Sequence, residues 1–264
     1  MLTRLLNTAC LLGLALVFAT CRTLGDGPNN LLENDIVVEE PDEAPLATTT
    51  PATVYLHRGG GRYTPGAANN PAQNVSRLVQ TQHGSVLTFA PFAGSDADWQ
   101  QAVAHARTLF RAYNVTFVET EPAAGNYIEC VVTNSSGDIF RDYSSATVGA
   151  SGRTCSGQRS SINFVLLGGR ITRPVRIGEI IAHEVGHVLS LQHTLTTGDM
   201  MSYRRAAKAF LDRNMPCARN KSKRWVSTPC QCNITRQNSH QMLLTRLGPA
   251  PTTGVIRRPL ARKL

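Results

Sequence analysis

His183-Glu184-Val185-Gly186-His187-Val188-Leu189-Ser190-Leu191-Gln192-His193 is the stretch on which the reading of this chain turns. Residues four apart share one face of a helix, so the imidazoles of His183 and His187 can point at one place, with Glu184 beside them. In a chain of this composition, two His and one Glu at that spacing arise by chance on the order of once in a hundred, and His193 lowers that by a further factor of about 40. Neutral imidazoles at roughly 2 Å suit zinc, and three protein ligands leave a fourth position for water. His183, His187 and His193 are therefore the candidate metal ligands, and Glu184 is the candidate general base. Glu184 is the last Glu in the chain, so a third ligand of the acidic kind would have to be Asp199 or Asp212.

Outward from this stretch, Ile177, Ile180, Ile181, Val188 and Leu191 mark a helix from about Arg176 to Leu191. Upstream, Ser95 followed by Asp98 forms a capping signal. It opens a second apolar stripe through Trp99, Ala102, Val103, Ala106, Leu109, Phe110 and Tyr113. Thr53–His57, Val86–Phe89, Val115–Glu119, Tyr127–Val132 and Ser161–Leu167 read as strands. The Ser/Gly-rich segment 134–160 reads as a long loop with an edge strand around Thr147–Val148. A last helix, Ser239 to Leu247, is capped by Ser239 and stopped by Gly248. This order predicts an α+β fold: a small twisted mixed sheet, a site-bearing helix and a C-terminal helix.

The motif resembles the signature of the metzincin zinc endopeptidases, His-Glu-x-x-His-x-x-Gly-x-x-His followed by a turn containing Met. Here HEVGHVLSLQH (183–193) is followed by Asp199-Met200-Met201-Ser202-Tyr203. The resemblance implies that His183, His187 and His193 bind zinc, that Glu184 is the general base, and that Met201 is a hydrophobic floor under the metal. Tyr203 looks like the Tyr of astacins and serralysins that approaches the zinc or the transition state. Gly186 and Thr194 look closer to matrixins, so the chain resembles a matrixin-like outlier. It departs from the signature at Ser190, where the family has Gly. A left-handed turn at a non-Gly residue costs about 1–2 kcal/mol. Related folds hold structural calcium, for which Asp138 and Asp142 are the candidates. No Cys-bearing inhibitory segment of the matrixin type occurs in residues 22–84.

The 264 residues carry a net charge of +9, unevenly placed. Residues 201–264 hold 14 Lys/Arg against the single acid Asp212, whereas residues 21–50 hold seven acids against Arg22. The basic end predicts contact with an anionic surface through residues 204–264. With only Tyr203, Phe210 and Trp225 available for stacking, specific nucleic-acid binding is not expected. Residues 1–20 read as a secretory signal peptide: Arg4, an apolar centre from Leu11 to Ala19, then small residues. Cleavage after Ala19 yields a secreted protein, and Cys21 as a lipid-carrying first residue yields a cell-envelope lipoprotein. No transmembrane helix is expected in the mature chain.

Export makes disulfides available to Cys130, Cys155, Cys217, Cys230 and Cys232. The expected bridges are Cys130–Cys155 and Cys217 with either Cys230 or Cys232. The domain reading is an acidic flexible linker over 21–52, an N-terminal extension over 53–84, and the metallopeptidase domain over 85–248. That domain carries a basic Cys-containing insertion at 204–237, and a basic tail follows at 249–264.

Two functions are in view. The first is an exported zinc-dependent endopeptidase, a hydrolase acting on a protein or peptide substrate. The second is a catalytically silent zinc-containing binding or adhesion module that uses its basic C-terminal region. The presence of Glu184 favours the first, because a structural zinc site needs no base.

Overall fold

The computed structural model describes residues 35–39, 51–141, 143–202, 209–221 and 224–251. The fold is α+β. Its frame is a six-stranded sheet in the order β1-β8-β9-β7-β2-β6, from β1 (Asp35–Glu39), β2 (Ala52–His57), β6 (Val115–Val118), β7 (Ile128–Thr133), β8 (Gly149–Arg153) and β9 (Ser161–Leu166). Strands β6, β2, β7 and β9 run parallel, β8 runs antiparallel to β9, and β1 runs parallel to β8. The sheet is mixed, as expected.

Both faces of the sheet are covered. Helices α2 (Asp96–Leu109) and α3 (Pro174–Val188) pack on one face. There Ala52, Val54 and Leu56 of β2 and Ile128, Cys130 and Val132 of β7 meet Trp99, Ala102, Val103, Ile177, Ile180 and Ile181. Every second strand residue points that way, as the two-residue period of a strand requires. Ser95 caps α2 reciprocally: its hydroxyl accepts from the Asp98 N–H, and the Asp98 carboxylate accepts from the Ser95 N–H. Helix α3 starts at Pro174, two residues before the predicted start, because Pro at the first helical position gives up a donor the helix does not use.

On the other face lies a small unit formed by β3 (Gly61–Pro65), β4 (Val75–Ser76), α1 (Arg77–Gln82) and β5 (Leu87–Phe89). Tyr63, Leu78, Val79 and Phe89 pack there on Val131, Phe140, Ile162 and Phe164. Residues 53–84 are therefore no appendage. β2 is an inner strand of the sheet between β7 and β6, and the rest of that segment covers the sheet's second face.

Residues 35–39 form strand β1 where composition predicts linker. Asp-Ile-Val-Val-Glu is too short to show a period, yet its backbone groups find partners along β8. The strand expected at an edge around Thr147–Val148 runs instead from Gly149 to Arg153 and is flanked by β1 and β9. The basic insertion contains a hairpin of β10 (Cys217–Lys221) and β11 (Arg224–Thr228). The last helix, α4 (Ser239–Leu247), buries Leu243 and Leu247 in the main core and is capped by Asn238 rather than Ser239. The Asn238 side chain accepts from the Gln241 N–H, which releases the Ser239 hydroxyl for another contact.

The expected Cys130–Cys155 bridge is not present. Cys155 is bonded to Cys232, Cys217 to Cys230, and Cys130 is a free buried thiol. Cys130 lies on β7, and β9 stands between β7 and β8. Two strand spacings of about 4.8 Å exceed the span of a disulfide. The thiol of Cys130 accepts from Asn163 Nδ2 at 3.4 Å, and burial pushes its pKa up. No helix among the described residues is long and apolar enough to cross a membrane.

Candidate metal centre

Helix α3 carries His183, Glu184 and His187, all fully buried. The chain leaves the helix at Leu189 and reverses at Ser190, whose φ of 78° is the left-handed conformation the resemblance requires of this position. The Ser hydroxyl is tied down: it donates to the Cys155 carbonyl at 3.0 Å and accepts from Arg246 Nη2 at 3.0 Å. The turn brings His193 back to the helix. His187 Nε2 lies 3.0 Å from His183 Nε2 and 3.2 Å from His193 Nε2.

The far side of two rings fixes what these nitrogens are. His183 Nδ1 is 2.8 Å from the Met200 carbonyl, and His187 Nδ1 is 2.8 Å from the Leu191 carbonyl. A carbonyl only accepts, so each Nδ1 carries the proton and each Nε2 presents a lone pair. Lone pairs 3.0 Å apart repel one another unless a cation lies between them. A tetrahedral ion about 2.05 Å from each nitrogen would hold them about 3.3 Å apart, close to the observed spacing. The residues fit a metal ion. Orientation of the ligand ring through its other nitrogen is also what metal-binding histidines ordinarily show.

Among the described residues, the three histidines are the group whose ligand atoms converge, all within 4.8 Å of one another. They could hold a metal ion. No family model matches the chain, and no curated protein matches it either.

Neither acidic alternative joins the three histidines. The buried Asp199 carboxylate accepts from Thr194 Oγ1, the Met201 N–H, the Leu211 N–H and Ser239 Oγ, at 3.0 to 3.2 Å. Burial raises its pKa, and those four donors pull it back down. Its work is to fix the turn that delivers the Met200 carbonyl to His183. Asp212 accepts from the Asn238 and Gln241 side chains, which lowers its pKa.

Met201 is fully buried under the helix. Gly186 allows this approach, since a Cβ there would stand 2.7 Å from Met201 Sδ. Tyr203, Asp142 and Cys21 lie outside the described residues. Asp138 accepts from the Ser136 hydroxyl in the same short turn. Arg213, Arg219 and Arg236 of the basic C-terminal region are exposed.

The setting of Glu184 is not legible in the motif. Ser151 of β8 donates to Glu184 Oε2 at 2.5 Å and also to the Glu184 carbonyl at 3.1 Å. The carboxylate lies directly over Gly149, where a Cβ would come within 1.8 Å of Oε1. Strand β8 is thus the wall against which the candidate base rests. Gly149 and Ser151 belong to the small-residue run Gly-Ala-Ser-Gly, which composition alone files as loop. The one available signal was its position just after the weak strand Thr147–Val148.

Proposed function

We propose that this chain is an exported zinc-dependent endopeptidase of the metzincin kind, with His183, His187 and His193 as zinc ligands and Glu184 as general base. The observation that carries the reading is the convergence of three histidine Nε2 atoms, with a carboxylate one residue from the first ligand and positioned by β8. Two disulfides are compatible with an extracellular location. When bound, zinc supplies Lewis acidity, which lowers the pKa of water and polarises a peptide carbonyl.

The chain's own groups do the rest. Glu184 takes the proton from the attacking water and returns it to the leaving amine. Ser151 and Gly149 hold its carboxylate in one place, so little reorganisation accompanies the transfer. Asp199 and the Met200 carbonyl keep His183 in the tautomer that presents Nε2. Met201 closes the apolar floor below the ligands. Tyr203 is assigned a hydrogen bond to the developing oxyanion on the strength of the resemblance alone. An extended peptide binds along the sheet edge by strand addition.

The deciding experiment is hydrolysis of a generic unfolded protein by the purified zinc-loaded protein, with Glu184→Ala in parallel. Activity that disappears in the variant while zinc remains bound supports the reading. Zinc binding without hydrolysis by either protein favours the silent binding module.

A further inference from the structure

The two disulfides are unequally open to solvent. Cys217 and Cys230 are buried, whereas Cys155 and Cys232 are half-buried. Thiol–disulfide exchange needs an incoming thiolate to reach a sulfur, so access selects between the bridges. A dissolved thiol meets Cys155–Cys232 first.

The surroundings of that bridge also favour its opening. Arg153, only 2% exposed, places Nη1 3.8 Å from Cys232 Sγ. A guanidinium beside a sulfur stabilises the thiolate that departs when the S–S bond breaks, and a better-stabilised thiolate leaves faster. Attack is thereby directed at Cys155 Sγ. The incoming thiolate bonds to that sulfur, the S–S bond breaks, and its electron pair leaves on Cys232. A second thiolate then attacks the sulfur of the first, which releases a small-molecule disulfide and frees Cys155 as a thiolate. Two thiols are oxidised and one bridge is reduced. Cys232 and Asn233 stand at φ of 61° and 57°, a left-handed pair that the opened bridge no longer holds.

The consequence reaches the histidines through one residue. The Cys155 carbonyl accepts from Ser190 Oγ at 3.0 Å and from Arg246 Nη2 at 2.7 Å, and Ser190 is the left-handed turn three residues before His193. With the bridge open, the segment that bears this carbonyl keeps its Arg246 contacts but loses its covalent tie to the insertion.

We propose that Cys155–Cys232 is a thiol-operated switch on the metal centre: a small-molecule thiol opens it, the Ser190 turn relaxes, and the third histidine is no longer held to the other two. The inference rests on the three-histidine centre and is independent of whether the chain cuts peptides. Cys217–Cys230 is the permanent counterpart. It closes the base of the β10–β11 hairpin, whose Ala218 N–H donates to the His193 carbonyl at 2.9 Å, so His193 stays close enough to return when the first bridge re-forms.

The test titrates the full zinc-loaded chain with reduced glutathione, blocks free thiols with iodoacetamide, removes the glutathione and measures zinc affinity by competition with a chelator. At a concentration that leaves Cys217–Cys230 closed, alkylation should mark Cys155 and Cys232, and zinc affinity should fall about tenfold. Reoxidation of an unblocked sample should restore it. Arg153→Gln should reach the same end point more slowly. Cys155→Ser combined with Cys232→Ser should show the low affinity before any thiol is added, and glutathione should not lower it further. If that double variant does not fold, the native chain alone decides. Unchanged zinc affinity after selective opening overturns the proposal. So does simultaneous opening of both bridges, or alkylation of the buried Cys130, which would mean that the fold itself has come apart. A chain that binds no zinc while both bridges are closed removes the metal centre and the switch together, and it shows this before glutathione is added.

Discussion

Ser190 Oγ donates to the carbonyl of Cys155 across 3.0 Å, from a residue whose φ is 78°. Arg246 Nη2 reaches both partners, at 3.0 Å to the hydroxyl and 2.7 Å to the carbonyl. One side chain thus joins the end of α3, the segment after β8 and α4. The disulfide Cys155–Cys232 closes the same junction from another side.

This explains how a serine stands in a left-handed turn, and it sets the sign of two substitutions. Ser190→Ala keeps the backbone cost of about 1–2 kcal/mol and loses a hydrogen-bond group worth about 1 kcal/mol. It should destabilise by about 1–2 kcal/mol and weaken zinc binding, since His193 follows three residues later. Ser190→Gly removes the strain along with the hydroxyl and should be nearly neutral. Urea unfolding and zinc titration of both variants check the pair, and equal losses would refute the account.

Glu184 is placed by Ser151 and Gly149, so changes there should act on turnover rather than on folding or metal content. Ser151→Ala is expected to lower kcat about tenfold, with KM and bound zinc unchanged, because one short hydrogen bond to the base is lost. Gly149→Ala should cost more, since its Cβ would displace the carboxylate. Steady-state kinetics alongside zinc analysis decide this. A change confined to KM would argue that Ser151 serves peptide binding instead.

The two disulfides close loops of different length, with sequence separations of 77 and 13. Loop-closure entropy assigns about 4.5 kcal/mol to the first and about 3 kcal/mol to the second. Cys155→Ser paired with Cys232→Ser should therefore destabilise more than Cys217→Ser paired with Cys230→Ser. Peptide mapping without reductant should find these two bridges and a Cys130 that reacts with thiol reagents only after unfolding.

Removing the metal should be felt as stability. At a free zinc concentration a hundredfold above its dissociation constant, binding to the folded state contributes about 2.7 kcal/mol. Chelation should lower Tm and zinc should restore it, with a smaller recovery in His193→Ala. A melting curve indifferent to zinc would count against the histidine centre.

Glu119 offers a pH test away from the site. It lies 2.8 Å from Trp99 Nε1, 2.9 Å from Gln100 Nε2 and 3.1 Å from Arg107 Nη2. Burial opposes its ionisation, but these donors outweigh it and hold the pKa below the ordinary 4.5. A carboxylate lowered on folding stabilises above its unfolded value and loses that contribution as pH falls through its folded one. Glu119→Gln should cost about 1 kcal/mol at pH 7, and the difference should close below pH 4.5. Urea midpoints at pH 7 and at acid pH compare the two proteins, and a gap that widened on acidification would contradict the assignment.

Local order fixed much of this protein in its sequence. Helical spacing alone put His183 and His187 on one face with Glu184 beside them, a side-chain pattern of Ser and Asp announced the start of α2, and alternating apolar residues marked the central strands. Those features are decided within one element, so sequence periodicity records them. The C-terminal stop at Gly248 belongs to the same class.

What only the tertiary structure decided are relations between elements far apart in the chain. The left-handed Ser190 is held by Cys155 and Arg246, neither within 30 residues of it. Cys130 stays out of a bridge because the sheet order puts β9 between β7 and β8, a fact no cysteine spacing contains. Asp199, open as a metal ligand in the sequence, is spent on four donors drawn from three segments. Strand β1 has no pattern of its own and exists because β8 offers it backbone partners. In each case the energy lies in a contact with a distant residue, and a linear sequence names both partners without saying that they meet.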